Sequence, residues 1–320
     1  MISEAPTRLA SSATASRACA DKGVVPDIPG WQLVHRLGGG GLTEVFQARP
    51  PGSPALHPAG YAVKALSART HQPAAAYEFL CREAQAARQV ESPHVVPLLA
   101  ANLRQTPYFI VMPFLPGASL AELLASDSRL VLPVALWIAR QVAQALDAMH
   151  AAGWLHGDIK PSNVMVAPSG HATLIDLGFA RRFAESSDAW PAERPLTGSL
   201  NYLAPELLTS RIRVDVRSDL YSLGVMLYEM LAGRVPFSAA DPAELVRQQR
   251  EERPQDLRVV APQLPERIAR LVHSLLAKSP SRRPSACRDV VDRLAALEIQ
   301  TFAERTWEHL EQLEACPGPS

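Results

Sequence analysis

Lysine, cysteine and long apolar runs are all scarce in this 320-residue sequence. No segment approaches the roughly 20 consecutive apolar residues that a membrane-spanning helix needs, so we expect no membrane segment. Basic and acidic residues balance to a formal net charge of zero. Without a global positive field, neither nucleic acid nor an anionic membrane is an expected partner. The four cysteines are scattered without metal-ligand spacing, which predicts free thiols and a cytoplasmic protein.

Only four of the 32 basic residues are lysine, namely Lys22, Lys64, Lys160 and Lys278. Arginine is the usual cation of this chain, so a position that keeps lysine invites a reason. A compact ammonium and a planar guanidinium differ in reach and in donor geometry, and a phosphate site can require the ammonium.

The predicted elements divide the chain into parts of different character. Residues 1–29 are rich in Ala, Ser and Thr and lack apolar periodicity, which predicts a disordered arm. Residues 30–115 contain strand-like segments such as "YAVKAL", "ESPHVVPLLAA" and "PYFIVMPF", with one helix predicted from about Ala74 to Val90. Helices such as "LPVALWIARQVAQALDAMH" dominate residues 116–297, where "NVMVA" and "HATLID" are predicted strands. Strands first and helices afterwards predict an α+β chain of two lobes with a cleft between them.

Residues 298–320 are predicted to form an amphipathic helix or tail. Five apolar residues fall near one face of that helix: Ile299, Phe302, Ala303, Leu310 and Leu313. Packing of this face against the helical lobe is the favoured interpretation, and a partner or dimer contact through residues 298–320 is the alternative.

Two patterns in the strand-rich part suit phosphate binding. In "LGGGGLTEVFQA", Gly38 and Gly40 would let backbone N–H groups approach an anion because no Cβ intervenes. A glycine-rich hairpin without a ligand is the alternative, and no Gly-Lys-Ser/Thr follows as in a Walker loop. Lys64 lies in the apolar strand "YAVKAL", where a buried ammonium requires an anionic partner. Glu83 and phosphate oxygens are the candidates, unless the lysine extends to water.

The stretch "GWLHGDIKPSNVM" places an acid, a lysine and an amide on one short loop. Asp158 could accept the proton of an attacking hydroxyl, Lys160 could neutralise a transferring phosphoryl group, and Asn163 could ligate a divalent metal. Asp176, at the end of "HATLID", adds a second oxygen ligand suited to Mg²⁺. Each acid alone could be a loop cap, but the set in this order indicates phosphoryl transfer.

Over residues 31–297 these motifs resemble those of eukaryotic-type (Hanks-type) serine/threonine protein kinases, which bacteria also contain. The resemblance implies a bilobal protein kinase fold, with a small antiparallel β-sheet lobe carrying one main helix and a larger, mainly helical lobe. It also implies ATP and Mg²⁺ as cofactors, with Mn²⁺ as a substitute, and a Ser or Thr hydroxyl of a protein as the acceptor.

The resemblance also implies a role for each residue. Asp158 is the catalytic base, Lys160 contacts the γ-phosphate, and Lys64 pairs with Glu83 and the α- and β-phosphates. Asn163 and Asp176 hold the metal. The implied ATP contacts are Leu37, Gly38, Gly40, Val45, Ala62, Lys64, Met112, Pro113 and Leu115. The activation segment and its supports are Gly178, Ser199, Glu206, Asp219 and Arg283, with Glu206 paired to Arg283 and Asp219 anchoring the catalytic loop.

Several residues depart from the family's pattern. Thr43 replaces the third glycine of the phosphate-covering loop, which predicts slower turnover rather than inactivity. Leu177 replaces phenylalanine in the Asp-Phe-Gly motif, where it can still fill the apolar position. At the hinge between the lobes, Pro113 follows the gatekeeper Met112 in place of a more usual glutamate. Proline has no backbone N–H, and the donor to adenine is expected from Leu115.

Gly157 stands where many kinases carry an arginine that orders the phosphorylated activation loop. Phosphorylation of Ser186, Ser187 or Thr197 would therefore lack its main cationic partner. We expect autophosphorylation from the family resemblance, and a basal activity that does not depend on phosphorylation of the loop.

A triplet such as His156-Gly157-Asp158 also occurs in small-molecule kinases that resemble aminoglycoside and choline phosphotransferases. Lys160 and Pro161 favour a protein substrate, as does the long segment 176–206 that ends in "YLAPE".

Two further readings are weaker. A tyrosine-specific kinase would not carry Lys160. A pseudokinase scaffold is disfavoured because Lys64, Asp158, Asn163 and Asp176 are all present.

Overall fold

The computed structural model describes residues 26–54, 58–183, 200–208 and 214–314, with side chains of the last helix described as far as residue 303. Within these ranges an antiparallel sheet with one long helix is followed by a mainly helical lobe. The α+β bilobal architecture predicted from the sequence is confirmed. Residues 1–25, and with them most of the predicted disordered arm, lie outside the described ranges.

Five antiparallel strands form the sheet of the first lobe in the order β1-β2-β3-β5-β4. They are β1 (Gln32–Gly39), β2 (Thr43–Arg49), β3 (Tyr61–Leu66), β4 (Ala100–Asn102) and β5 (Phe109–Pro113). In β3, Lys64 lies between Val45 of β2 and Ile110 of β5, so the lysine belongs to the middle of the sheet rather than to an edge.

The strand predicted at "ESPHVVPLLAA" is wrong for most of its length, because only its last two residues belong to β4. Pro93 and Pro97 lack the N–H that strand pairing uses. Val95 and Val96 pair with the second lobe instead, where Val96 N–H donates to the carbonyl of Leu174 at 3.0 Å. The segment thus connects the two lobes.

Helix α1 (Pro73–Gln89) confirms the helix predicted over residues 74–90. Its proline lies in the first turn, where the missing N–H costs no hydrogen bond. The buried face carries Phe79, Leu80 and Ala84 together with the carboxylate of Glu83. An acid on an apolar face requires a cation nearby.

The packed part of the chain begins before the predicted boundary of the N-terminal arm. Ile28 is 2% exposed and lies in the core of the first lobe with Ala48, Val63 and Val111. The expectation of disorder up to residue 29 is therefore wrong for Ile28, because this apolar side chain packs into the core of the first lobe.

Two long helices with many buried residues form the centre of the second lobe, Leu132–Ala151 and Val216–Ala232. Its helices are α2 (Leu120–Asp127), α3 (Leu132–Ala151), α4 (Val216–Ala232), α5 (Pro242–Glu251), α6 (Leu257–Val260), α7 (Glu266–Leu275) and α8 (Cys287–Glu314). Its short strands are β6 (Ala118–Ser119), β7 (Trp154–Leu155), β8 (Val164–Val166), β9 (Ala172–Leu174) and β10 (Arg181–Arg182). The face predicted for α3 is confirmed, since Ile138, Val142, Leu146 and Met149 are all buried. Strands β8 and β9 confirm the predictions at "NVMVA" and "HATLID".

Helix α8 runs through the boundary predicted at residue 297 without a break. Leu297 and Thr301 are buried, whereas Ile299 and Phe302 are 70% and 75% exposed. Ile299 and Phe302 border a groove that Pro133 and Trp137 of α3 also line, so this part of the predicted apolar face lies next to the helical lobe but stays largely exposed. The side chains of Leu310 and Leu313 lie outside the described part. No described helix combines the length and apolarity needed to cross a bilayer.

Candidate active site

The cleft between the lobes contains a cavity of about 500 Å³. Leu37, Val45 and Ala62 line it from the first lobe, and Met165 and Ile175 line it from the second. Two apolar walls of this kind suit a flat aromatic ligand. The family resemblance did not indicate Met165 or Ile175. Met165 lies on β8, directly after the 3₁₀ turn that ends at Asn163, and its place in the wall follows only from the fold.

The hinge follows β5 along the same cavity. Met112 is buried, Pro113 pairs with Tyr61, and the Phe114 N–H donates to the carbonyl of Gly60 at 2.9 Å. Pro113 has no N–H and that of Phe114 is used within the protein. Leu115 is the next residue in the cavity wall, which fits its expected role as the donor to adenine.

The glycine-rich turn between β1 and β2 needs glycine at a position that the sequence did not single out. Gly39 has φ +151, and a Cβ there would lie 2.7 Å from the carbonyl oxygen of Thr43. At Gly38 and Gly40 a Cβ would meet nothing within 4 Å. Both glycines line the cavity. The absence of a Cβ there leaves room for a ligand and is not required by the packing of the fold.

Lys64 joins the two lobes at the back of the cleft. It is 4% exposed and donates to Glu83 Oε2 at 2.6 Å and to Asp176 Oδ1 at 3.0 Å. Burial works to lower the pKa of Lys64, but the two carboxylates outweigh it and the pKa is raised. Burial also raises the pKa of Glu83, to about 6, against the attraction of Lys64. The lysine is therefore a paired ammonium, and the reading in which it extends to water is excluded.

The loop between β7 and β8 brings Asp158, Lys160 and Asn163 together. Lys160 Nζ lies 2.7 Å from Asp158 Oδ2. Asn163 donates its amide N–H groups to the carbonyl of Asp158 at 2.8 Å and to its Oδ2 at 2.9 Å. Since the amide nitrogen is turned towards Asp158, the carbonyl oxygen of Asn163 is left for a cation.

Asp176 follows β9 in a strained backbone conformation, with φ 64 and ψ 72. A non-glycine residue in the left-handed region costs free energy and is found mostly at functional sites. Two residues on, a Cβ at Gly178 would lie 2.1 Å from the ring of Phe79 on α1. Gly178 therefore allows α1 to approach this turn, and with it Glu83 to approach Lys64.

Asp219 of α4 holds the catalytic loop from below. It accepts hydrogen bonds at 2.9 Å from the N–H groups of His156 and Gly157, and His150 Nε2 lies 2.9 Å from its Oδ2. Burial opposes ionisation, but these partners outweigh it and lower the pKa of Asp219. Gly157 has φ +76, which glycine adopts without strain. No sequence pattern singled out His150, which meets Asp219 only in the fold.

Glu206 and Arg283 form a buried two-pronged ion pair. Arg283 Nη1 donates to Glu206 Oε1 at 2.6 Å and Nη2 donates to Oε2 at 2.8 Å. Ser218 Oγ donates to the same carboxylate at 2.7 Å. The parallel N–H···O bonds give this pair geometric specificity as well as attraction. The ion pair connects the segment 200–208, which contains Glu206, to the part of the second lobe just before α8, which contains Arg283.

Comparison with known proteins identifies the family. The protein kinase domain family matches residues 31–293. The chain belongs to that family. It is 32% identical over 276 residues to the serine/threonine-protein kinase PknD of Mycobacterium tuberculosis, an alignment that covers 86% of the chain and 40% of the relative.

Two PknB proteins have about the same sequence identity to this chain as PknD. The serine/threonine-protein kinase PknB of Mycobacterium tuberculosis is 32% identical over 289 residues, and that of Mycolicibacterium smegmatis 33% identical over 290 residues. Each alignment covers 86% of this chain and 45% of the relative. The chain therefore spans less than half the length of these curated relatives.

A second cavity of about 440 Å³ lies beside the loop between β7 and β8. Lys160, Ser162, Tyr202 and Glu229 are among the residues that line it. Tyr202 donates its hydroxyl to Glu229 Oε2 at 2.7 Å, and burial raises the pKa of Glu229. Sequence reasoning missed Glu229, because this residue is far from the loop in the sequence and approaches it only in the fold.

Four residues named in the sequence analysis lie outside the described residues: Ser186, Ser187, Thr197 and Ser199.

The described part of the chain offers few ligands for a metal ion. No group of three or more His, Cys, Asp or Glu side chains in the described ranges could hold one. Asn163 and Asp176 both line the cleft. Two oxygen ligands suit Mg²⁺, which commonly takes one or two protein ligands and completes its shell with phosphate oxygens and water. The residues present therefore fit the metal that the family uses.

Proposed function

We propose that the chain is a serine/threonine protein kinase that transfers the γ-phosphate of ATP to Ser or Thr hydroxyls of proteins. The observation that carries the proposal is a connected set of side chains at the cleft: Lys64, Asn163 and Asp176 line it, and Lys64 pairs with Asp176. Asp158 and Lys160 lie directly behind this wall, where Asp158 accepts from Asn163 and pairs with Lys160. The relatives' names support the same activity.

The residues divide the reaction between them. Asp158 accepts the proton of the attacking hydroxyl and orients that hydroxyl, while Lys160, 2.7 Å from Asp158, places positive charge where the phosphoryl group passes. Lys64, held by Glu83, binds the α- and β-phosphates. Adenine lies between the apolar walls of the cleft and accepts a hydrogen bond from Leu115 N–H. Mg²⁺, held by Asn163 and Asp176, would neutralise charge on the phosphate oxygens.

The acceptor peptide binds along the cavity lined by Tyr202 and Glu229, because this cavity reaches Lys160 at the catalytic loop. The carboxylate of Glu229 favours a basic residue near the acceptor hydroxyl. A partner contact through residues 298–320 is part of the proposal and is supported by the exposure of Ile299. Use of ATP and the thiols of Cys81 and Cys287, which are free, support a cytoplasmic reaction.

The kinase is also proposed to autophosphorylate without depending on a phosphorylated activation loop. Gly157 supplies no guanidinium beside Asp158, so phosphate on the loop has no arginine to meet there. Equal protein kinase activity before and after treatment with a phosphatase is the expected result. A loss of most of the activity on treatment would contradict this part of the proposal.

The test of the function is transfer from labelled ATP in the presence of Mg²⁺. The acceptors are a generic basic protein and, in parallel, a panel of aminoglycosides, choline and related alcohols. The expected result is phosphoserine or phosphothreonine in the protein, formed by the unmodified chain and not by Asp158→Asn. Labelling of a metabolite alone would instead indicate a small-molecule kinase, and ATP binding without transfer would indicate a scaffold.

A further inference from the structure

Helix α5 presents a fully buried amide to the segment that borders the second cavity. Gln249 is 0% exposed, and its Nε2 donates to the carbonyl of Leu200 at 2.6 Å. Its Oε1 is buried and has no hydrogen-bond partner in the described part of the chain. A buried amide with an unpaired oxygen makes a folded protein less stable than an apolar side chain of similar size would. Packing alone therefore does not explain Gln249, whereas its bond to Leu200 does.

The bond to Leu200 acts on the wall of the second cavity. Leu200 begins a single 3₁₀ turn that ends at Tyr202. Tyr202 is then fixed at both ends: its carbonyl accepts from Ser222 Oγ at 2.7 Å, and its hydroxyl donates to Glu229 at 2.7 Å. Because Leu200 and Tyr202 belong to the same turn, a shift of the Leu200 backbone would strain these two bonds and displace Tyr202 relative to Lys160, across the cavity proposed for the acceptor peptide.

Lys278 fixes the turn of α5 that carries Gln249. Lys278 Nζ donates to the carbonyl of Gln249 at 2.6 Å and to that of Gln248 at 3.3 Å. The same atom lies 3.8 Å from the centre of the Phe237 ring. Both carbonyls belong to the last turn of α5, where helices run out of N–H donors, although that of Gln248 also accepts from Glu252 N–H at 3.0 Å. A cation is also favoured at this end of a helix.

The same lysine reaches the other end of the segment through its backbone. The carbonyl of Lys278 accepts from Arg283 Nη2 at 3.1 Å, and Arg283 pairs with Glu206. Leu200, which begins the described segment 200–208, and Glu206, near its end, are thus both connected to Lys278. One of the chain's four lysines occupies the point where the two connections meet.

We propose that Gln249 is a positioning residue for the protein acceptor. Through Leu200 it sets the cavity wall on which the acceptor binds, and Lys278 holds Gln249 in place. The inference rests on the proposed protein kinase function. It predicts an effect on the acceptor and none on ATP, because neither residue lines the cleft between the lobes.

The test compares Gln249→Leu with Gln248→Leu. Both remove an amide from the same turn of α5, but among the described residues the Gln248 side chain bonds only to Glu244, with its Nε2 3.3 Å from Oε1. For Gln249→Leu the KM for a protein acceptor should rise about tenfold, the effect of one hydrogen bond of ordinary strength, with the KM for ATP unchanged. Gln248→Leu should behave as the unmodified chain. A merely structural role would reduce the amount of active enzyme, and so kcat, and would leave both KM values unchanged.

Lys278→Met provides a second route if Gln249→Leu does not fold. It keeps a side chain over Phe237 and removes the ammonium, and it should raise the KM for the acceptor in the same way. In the double variant Gln249→Leu/Lys278→Met, the KM for the acceptor should be no higher than in the single variant with the higher KM. Equal KM values for Gln249→Leu and Gln248→Leu, or a parallel rise in the KM for ATP, would overturn the inference alone. Absence of transfer by the unmodified chain would overturn the proposed function first.

Discussion

Replacement of Arg283 by methionine tests how the second lobe holds the segment that ends at Glu206. All five guanidinium N–H groups have acceptors: both oxygens of Glu206 and the carbonyls of Ala277, Arg217 and Lys278. Both side chains are at most 1% exposed. Methionine fills a similar volume without charge, so the Glu206 carboxylate would remain buried without its cation.

The expected magnitude follows from that buried charge. Removing one partner of a buried ion pair costs about 3–5 kcal/mol of unfolding free energy. At about 2–4 °C per kcal/mol for domains of about 150–250 residues, the melting temperature should fall by about 6–20 °C.

Thermal unfolding followed by circular dichroism measures the change, with Glu206→Leu/Arg283→Met as the matched control. The double variant leaves no charge in the site, so it should melt well above Arg283→Met. An Arg283→Met chain that melts with the unmodified protein would refute the reasoning. A double variant that shows only the sum of the two single losses would refute the role of the unpaired charge.

Two further predictions concern the first lobe. Because burial raises the pKa of Glu83 to about 6, acidification through pH 6 should protonate it and release Lys64, so kinase activity should fall. A raised pKa means that the folded chain takes up this proton more readily than the unfolded chain. The melting temperature should therefore not fall through Glu83 over that range, and Glu83→Gln should lose the acid limb of the activity profile. Gly39→Ala should cost about 1–3 kcal/mol in a denaturant titration because of its φ and its contact with Thr43, whereas Gly38→Ala should cost less than about 0.5 kcal/mol.

Local patterns explain which parts of the fold could be predicted. The period of α3 and the apolar face of α1 are properties of neighbouring residues, and both helices lie where the sequence predicts them. The cost of burying an unpaired ammonium made Glu83 a candidate partner of Lys64, and the family resemblance implied the pairing that the fold shows. The strand predicted at residues 91–101 failed because Pro93 and Pro97 outweigh its valines.

The remaining features depend on residues far apart in the chain. His150 meets Asp219, and Gln249 meets Leu200, only after α3, α4 and α5 have packed. Ile299 is an apolar residue of the kind that packs in a core, and only the orientation of α8 relative to α3 leaves its side chain exposed. The need for glycine at position 39, rather than at 38 or 40, depends on the close approach of β2.

The most direct test of the central claim is the rate of phosphate transfer from ATP to a protein by the unmodified chain and by Asp158→Asn, with ATP affinity measured on both. Asp158 does not line the cleft cavity, and loss of a general base typically costs about 10²–10⁴-fold in rate. The account predicts a loss of that size with unchanged ATP affinity. Equal rates for the two proteins would contradict it.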